Sequence, residues 1–324
     1  MKILVDIYHP GHVHFFRHFI AQAQRSGHEV FITASDKDVT LDLMNQFKLV
    51  YHKLPSYGKS NFKKALNIIP IDLAMYNHAR KVKPDIMMGI GSFRVAHVAR
   101  LLGVKGFVFD DTEHASAGIA LYRYFATKIF SPSCFFKNFG SKHVKYNGYH
   151  ELGYLHPTRF QPDFSILKNA GIQEGERFFV VRFVAWEAAH DVGESGLSNT
   201  GKKRLVKLLS RYGRVLITSE YKLNSDFEPY RIKMPAYHIH HLLYYASMYI
   251  GEGGTMATES AVLGTPSIFI SSLNAGTFTD LKNKYGLMYT FEKEKEAFVK
   301  IEELLEKGDL LKHCLLYTSD AADE

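Results

Sequence analysis

Short apolar runs alternate with amphipathic stretches from the first residues of the chain. KILVDIY reads as a buried strand, and HVHFFRHFIAQAQRSG places Val13, Phe16, Phe19, Ile20 and Ala23 on one helical face closed by Gly27. The pattern then predicts a strand at HEVFIT, a helix over 36–47, a strand near 49–53, a long helix over 61–82, a strand at DIMMGIG, a helix at FRVAHVARLL and a strand at GFVFDD. Strands that alternate with helices build parallel sheets covered on both faces.

The alternation breaks in YNGYHELGYLHPTRFQPD, residues 146–163, where turn residues and two prolines interrupt it. It restarts with FFVVRFV as a strand, a helix over 199–212, RVLITSE, a helix at HLLYYASM, YIGEGG, PSIFIS and a final helix from about 293. A length of 324 residues exceeds the usual single-core domain and gives the same count of two. The expected fold class is therefore α/β, with two Rossmann-like parallel-sheet domains, residues 1–160 and 161–312. The closing HCLLYTSDAADE reads as translated adapter sequence, so 313–324 are expected to be a non-native tail.

Charge narrows the partners. A net +7, a pI near 9.1 and 17 histidines favour an anionic ligand. No run of five basic residues and no zinc-finger spacing occurs, so nucleic acid is the weakest candidate. The two cysteines, Cys134 and Cys314, are far apart and lack metal-type spacing, which suits a reducing cytoplasm. No segment reaches the roughly 18 apolar residues of a membrane span. A cytoplasmic protein is expected; NIIPIDLAMY at 67–76 leaves room for peripheral contact with the inner membrane face, although a buried helix is the favoured reading of that segment.

Four loops after predicted strands carry chemistry, which matters because ligands of open parallel sheets collect at the carboxyl ends of strands. In GEGGTMATESAVLGTPSIFI, residues 251–270, Gly251, Gly253 and Gly254 allow close backbone approach and Thr255 is expected to cap a helix from about Met256 to Leu263. Free amides there suit a phosphate, and Glu259, one turn on, suits a ribose; the structural alternative is a tight turn with Glu259 paired to a base. HPGHVHFFRHF supplies Gly11 and His12, a candidate general base, whereas His14 is expected to pack. FDDTEHAS gathers Asp110, Asp111, Glu113 and His114 for proton transfer or sugar binding. VVRFVAWEAAHD brings Arg182, suited to phosphate, with Trp186, Glu187, His190 and Asp191. GSFR adds Ser92 and Arg94, and YHELGYLHP adds Glu151 and His156 as hinge or cleft residues. The chain lacks a G-x-S-x-G elbow, a G-x-G-x-x-G after its first strand and a Walker A sequence, which disfavours serine hydrolases, nicotinamide enzymes and P-loop proteins. His238, His240 and His241 are read as structural, and no metal site is expected.

DIYHPGHVHFFRHF, GSFR, DDTEHA, YNGYHELGYLHP, AAHD and GEGGTMATESAVLGTPSIFI are similar to the domain-of-unknown-function 354 family over nearly the whole chain to about residue 308. More broadly the chain resembles the GT-B superfamily of nucleotide-sugar glycosyltransferases and the related UDP-N-acetylglucosamine 2-epimerases. That resemblance implies two domains facing across a cleft, the first for acceptor and catalysis, the second for a nucleotide sugar. It implies that Gly254, Thr255 and Glu259 occupy the nucleotide place, that His12 is the base and that Glu113 and His114 stand in an acidic catalytic loop. The departures are a first loop reduced to Gly11 alone and an AAHD that only loosely echoes the epimerase pattern. The expected function is a glycosyltransferase acting in glycan or glycolipid synthesis with a nucleotide-sugar donor, UDP-linked by expectation, and no bound cofactor. An epimerase of the 2-epimerase kind, or a non-catalytic nucleotide-sugar binder, is the alternative. The acceptor, lipid-linked or polysaccharide, is open.

Overall fold

The structure, a computed structural model, describes residues 1–55, 67–184, 196–219 and 223–307. Trp186, Glu187, His190, Asp191, the first turns of the helix expected over 61–82 and the tail at 313–324 lie outside the described residues. The chain divides into two compact units, Met1–Tyr154 and Leu155–Glu324.

The first unit runs β1 (Lys2–Ile7), α1 (Pro10–Arg25), β2 (Glu29–Ser35), α2 (Thr40–Gln46), β3 (His52–Leu54), α3 (Ile68–Val82), β4 (Ile86–Ile90), α4 (Phe93–Leu102), β5 (Lys105–Phe109), α5 (Ser116–Tyr122), β6 (Lys128–Pro132) and β7 (His143–Tyr146). Its seven strands are all parallel in the order β3-β2-β1-β4-β5-β6-β7. The order reverses between β1 and β4, so the loops after those two strands diverge and leave a crevice at their carboxyl ends. Leu4, Val5 and Ile7 of β1 are fully buried, as a central strand covered on both faces requires. On one face Leu4 and Met87 pack against Met75, Ala79, Val95 and Val98; elsewhere Val108 and Ile129 pack against Phe93, Ala96, Ile119 and Tyr122.

Local signals explain the helix ends. Pro10 fills the first turn of α1, and the Nδ1 of His9 accepts from the Gly11 amide at 3.2 Å as its cap. Ser92 caps α4 by accepting from Val95 N at 3.2 Å, and Gly103 closes it with φ +69°. Helix α3 is amphipathic: Ile71, Met75, Ala79 and Val82 are buried, while Ile69 (76%) and Leu73 (55%) are exposed. The apolar segment 67–76 is thus buried on one side only. Among the described residues no helix is long and apolar enough to cross a membrane.

A short helix, α6 (Leu152–Leu155), spans the division in the chain. The second unit continues with α7 (Ser165–Asn169), β8 (Phe178–Phe183), α8 (Asn199–Leu209), β9 (Arg214–Ser219), α9 (Ile239–Tyr245), β10 (Met248–Gly251), α10 (Gly254–Val262), β11 (Ser267–Ile270), α11 (Gly276–Asp280), β12 (Met288–Phe291) and α12 (Glu294–Glu306). Its five strands are parallel in the order β12-β11-β10-β8-β9, which reverses between β8 and β10. Phe179, Val181, Ile250 and Ile268 form one core with Leu205, Leu209, Phe298 and Ile301 of α8 and α12. Both units are parallel-sheet α/β folds, as the alternation predicts. Strands β6, β7 and β12 are additions to the predicted set; each carries partly exposed positions, so none stands out as an apolar run.

Candidate functional site

In the first unit the crevice begins with a rigid floor. Asp6, fully buried near the end of β1, accepts hydrogen bonds from Thr33 Oγ1 (2.9 Å), Ser92 Oγ (2.6 Å) and Arg94 Nε (3.0 Å), and Arg94 Nη2 stands 2.9 Å from the same carboxylate. Arg94 Nη1 donates to Ser35 Oγ at 2.7 Å, and its guanidinium lies 5.4 Å over the Tyr8 ring. The charged pair is worth keeping because each charge is hydrogen-bonded on several sides. Ser92 and Arg94 therefore tie β1, β2 and α4 together. Gly91, at φ +52°, lets the chain turn beneath Tyr8, whose hydroxyl would stand 3.1 Å from an added Cβ.

Tyr8 meets the edge of His12 at 4.5 Å, so the floor fixes the imidazole singled out in the sequence. His12 is buried, and burial, with His9 and Lys37 adding to it, holds its pKa well below 6.5; Asp111 opposes. It is a neutral imidazole at physiological pH. His14 packs, stacking on Tyr154 at 5.5 Å and meeting Phe47 at 5.7 Å. Gly11 occupies the first turn of α1, its amide engaged by His9.

The acidic loop after β5 divides its residues among different tasks. Asp110 accepts from the Tyr122 hydroxyl and from Thr112 N at 3.0 Å; burial first, then the Asp111 charge, lifts its pKa to about 7. Asp111 Oδ2 pairs with His150 Nδ1 at 2.9 Å. Burial alone would raise the Asp111 carboxyl, yet the charge and hydrogen bond of His150 hold it below the ordinary range; burial likewise would lower His150, and Asp111 raises it above 6.5. Glu113 Oε1 accepts from Phe136 N at 3.1 Å, which fastens this loop to the chain after β6, and His114 is partly buried beside it. The sequence pattern assembles Gly11, His12 and the acidic loop but gives no sign of His150, which follows β7 in YHE. Recognition of β7 as a strand would have put His150 at the same sheet end.

In the second unit the predicted turn sits at the order reversal between β8 and β10. Gly251 is in register with Arg182, and a Cβ there would stand 2.8 Å from the Arg182 carbonyl oxygen. A Cβ at Gly253 would stand 3.0 Å from Arg182 Nε, so the guanidinium lies along the turn. Arg182 Nη1 also reaches Thr218 Oγ1 at 3.5 Å. Helix α10 starts at Gly254, capped by the extended backbone of Gly253 with no side-chain cap. This corrects the expectation for Thr255, which is exposed within the first turn: the chain bends at Gly253, a residue without a side chain, two positions before the threonine. Uncapped first-turn amides and the helix dipole favour an anion. A Cβ at Gly254 would stand 2.9 Å from Phe278 Cζ, so the ring packs closely against the helix start.

Glu259 lies one turn deeper, buried, with Oε1 3.0 Å from Nε2 of His240 on α9. It does not share the exposure of Thr255, because α10 is buried from Ala257 to Val262. Glu252, absent from the predicted set, accepts from Val184 N (3.0 Å) and Leu197 N (2.8 Å) and stands 3.4 Å from Lys202 Nζ. Among the described residues no group of three or more His, Cys, Asp or Glu is arranged to hold a metal ion.

A family model described as a protein of unknown function, DUF354, matches residues 1–309. An uncharacterized protein of Methanocaldococcus jannaschii is 23% identical over 284 residues, covering 83% of this chain and 81% of its own. Among solved structures the fold is similar to UDP-GlcNAc 2-epimerase from Neisseria meningitidis bound to UDP-GlcNAc, with a TM-score of 0.72, 14% identity and coverage of 97% and 94% of the two chains. It is also similar to the S. aureus MnaA–UDP structure (0.69, 11%, 99% and 92%) and to spinosyn rhamnosyltransferase SpnG complexed with thymidine diphosphate (0.65, 11%, 100% and 96%). The two parallel-sheet domains thus have the fold shared by GT-B glycosyltransferases and UDP-GlcNAc 2-epimerases.

Proposed function

The chain belongs to the DUF354 family, and from that premise we propose that it is a nucleotide-sugar-dependent glycosyltransferase of GT-B type, using a UDP-linked donor. The observation that carries the reading is the second unit's turn: glycines that admit close approach, uncapped helix amides and the Arg182 guanidinium, all at the order reversal of one parallel sheet. That set suits a diphosphate, stabilising its charge as it departs. Glu259, oriented by His240, takes the ribose in this reading. In the first unit neutral His12 takes the proton of an acceptor hydroxyl, while Glu113 and His114 shape the loop beside it. The solved neighbours that hold UDP, UDP-GlcNAc or thymidine diphosphate support a nucleotide ligand.

A second reading, epimerisation of the donor sugar, is favoured by one observation. Asp110 and Asp111 are adjacent carboxyls whose environments push their pKa values apart, one up to about 7 and one below the ordinary range, as paired acid and base groups require. A change in the sugar without any acceptor would select it.

Thermal unfolding with UDP, GDP, CDP, dTDP and their sugars tests nucleotide binding. A ligand at 100 times its Kd adds roughly 2.7 kcal/mol. Stabilisation by one nucleotide, lost in Arg182→Ala and weakened in Glu259→Gln, is the expected result. No response to any of them would sink the reading.

A further inference from the structure

Three polar atoms at one end of the first sheet are buried with no hydrogen-bond partner among the described residues: Nδ1 of His12, Nε2 of His150 and the Tyr146 hydroxyl. Buried polar atoms are almost always partnered, so three at one sheet end call for a reason. None of the rings is loose. His150 lies between Phe15, at 4.7 Å, and the Tyr146 ring, stacked at 6.2 Å and 16°, and Asp111 holds its Nδ1. His12 is held by Tyr8 at 4.5 Å. Tyr146 ends β7, and His12 and His150 follow β1 and β7, at the carboxyl ends where parallel sheets take their ligands.

We propose that they form a subsite for a sugar hydroxyl: His150 Nε2 and the Tyr146 hydroxyl donate to its oxygen, and His12 Nδ1 accepts its hydrogen. Asp111 is a positioning residue that acts through His150. The inference rests on the glycosyltransferase reading and deepens it by naming what grips the reacting group. As the O–H bond breaks, its proton passes to His12 Nδ1 and its electron pair stays on oxygen. That pair forms the bond to the anomeric carbon while the nucleotide diphosphate leaves with the pair of the broken C–O bond.

The chemistry of the surroundings selects a neutral hydroxyl rather than an anion. Asp111, Glu151 and Asp110 all act on His150 and offset positive charge there. The two imidazoles are unlike: burial, His9, Lys37 and His150 itself lower His12 against Asp111, whereas Asp111, against burial, raises His150. One can accept only where the other can donate.

The test is nitrogen–proton NMR of the histidine side chains in the full chain, titrated with a panel of hexoses, N-acetylhexosamines and hexuronates. At least one sugar should shift His12 Nδ1 and His150 Nε2. His150→Gln, which removes a charged donor, should weaken that sugar about tenfold or more, and Tyr146→Phe should weaken it several-fold. UDP stabilisation should be unchanged in both. If His150→Gln fails to fold, Tyr146→Phe, which removes one oxygen and keeps the ring, decides alone. No shift with any sugar, a response that both variants leave intact, or one retained water satisfying all three atoms without sugar-dependent shifts would each overturn the subsite. A retained sugar response in a protein that UDP never stabilises would support the subsite and overturn the donor reading.

Discussion

Arg94→Met removes the cation from a carboxylate that has no exposure. Asp6 would keep the hydroxyls of Thr33 and Ser92 but lose the Nε hydrogen bond at 3.0 Å and the Nη2 contact at 2.9 Å, and Ser35 would lose its 2.7 Å donor. Breaking one side of a buried pair costs about 3–5 kcal/mol, because the remaining charge stays out of water. For a unit of this size each kcal/mol moves the melting point by about 2–4 °C, so a drop of roughly 6–20 °C is expected by circular dichroism. The double variant Asp6→Leu/Arg94→Met removes both charges and should recover most of the loss, since apolar replacement of a whole buried pair is often close to neutral. A single variant that loses less than about 1 kcal/mol, as an exposed pair would, refutes the reasoning. So does a double variant no more stable than the single. The single variant should also shift the His12 resonances, because Tyr8 loses the guanidinium over its ring.

Two further outcomes follow from the pKa directions and one from the glycine turn. His150 is raised above 6.5, so its share of stability is complete below pH 6.5 and is lost as pH climbs through the folded value; Asp111 is held below 3.8, so its share is complete above pH 3.8 and is lost on acidification. Urea denaturation should therefore find Asp111→Asn more damaging at about pH 6, where the His150 share is complete, than at about pH 9, and a loss independent of pH would contradict this. Asp110, raised from 3.8 to about 7, contributes stability below pH 3.8 that fades as pH rises through about 7, so Asp110→Asn should flatten that decline; an unchanged slope counts against the buried acid. Gly251→Ala drives a Cβ to 2.8 Å from the Arg182 carbonyl and 2.6 Å from the Tyr249 hydroxyl. It should cost about 1–3 kcal/mol and abolish nucleotide stabilisation, and a melting point within about 2 °C of wild type would show that the turn has slack.

The parallel α/β architecture is legible because β1, β4, β8 and β10 are buried on both faces and read as near-continuous apolar runs, with Asp6 and Arg182 the charged exceptions inside them. Edge strands β7 and β12 are partly exposed at most of their positions, so their signal sinks into the loops. That loss carried His150 with it: its partner Asp111 lies 39 positions earlier, and only the strand order brings the two loops together. The start of α1 was obscured for another reason. Histidine is not among the side chains expected at a helix cap, so the sequence does not mark His9 although Pro10 marks the first turn. At α10 a residue preference pointed to Thr255, whereas the backbone turned at Gly253, where glycine met the Arg182 side chain. The Glu259–His240 pair joins helices 19 residues apart and was foreseen only as a generic alternative to ribose contact.

The carboxylate of Asp6 also constrains inheritance. Thr33, Ser92 and Arg94 bond to it directly and Ser35 completes the arginine's contacts, so five positions spread over nearly ninety residues form one unit of change. A relative that loses the arginine cannot keep the aspartate at little cost, and one that loses both leaves the Thr33 hydroxyl without its carboxylate and the Ser92 hydroxyl only its helix cap. These positions should therefore covary as a block along the lineage, drifting together or not at all, while the exposed Ile69 and Leu73 of α3 drift freely.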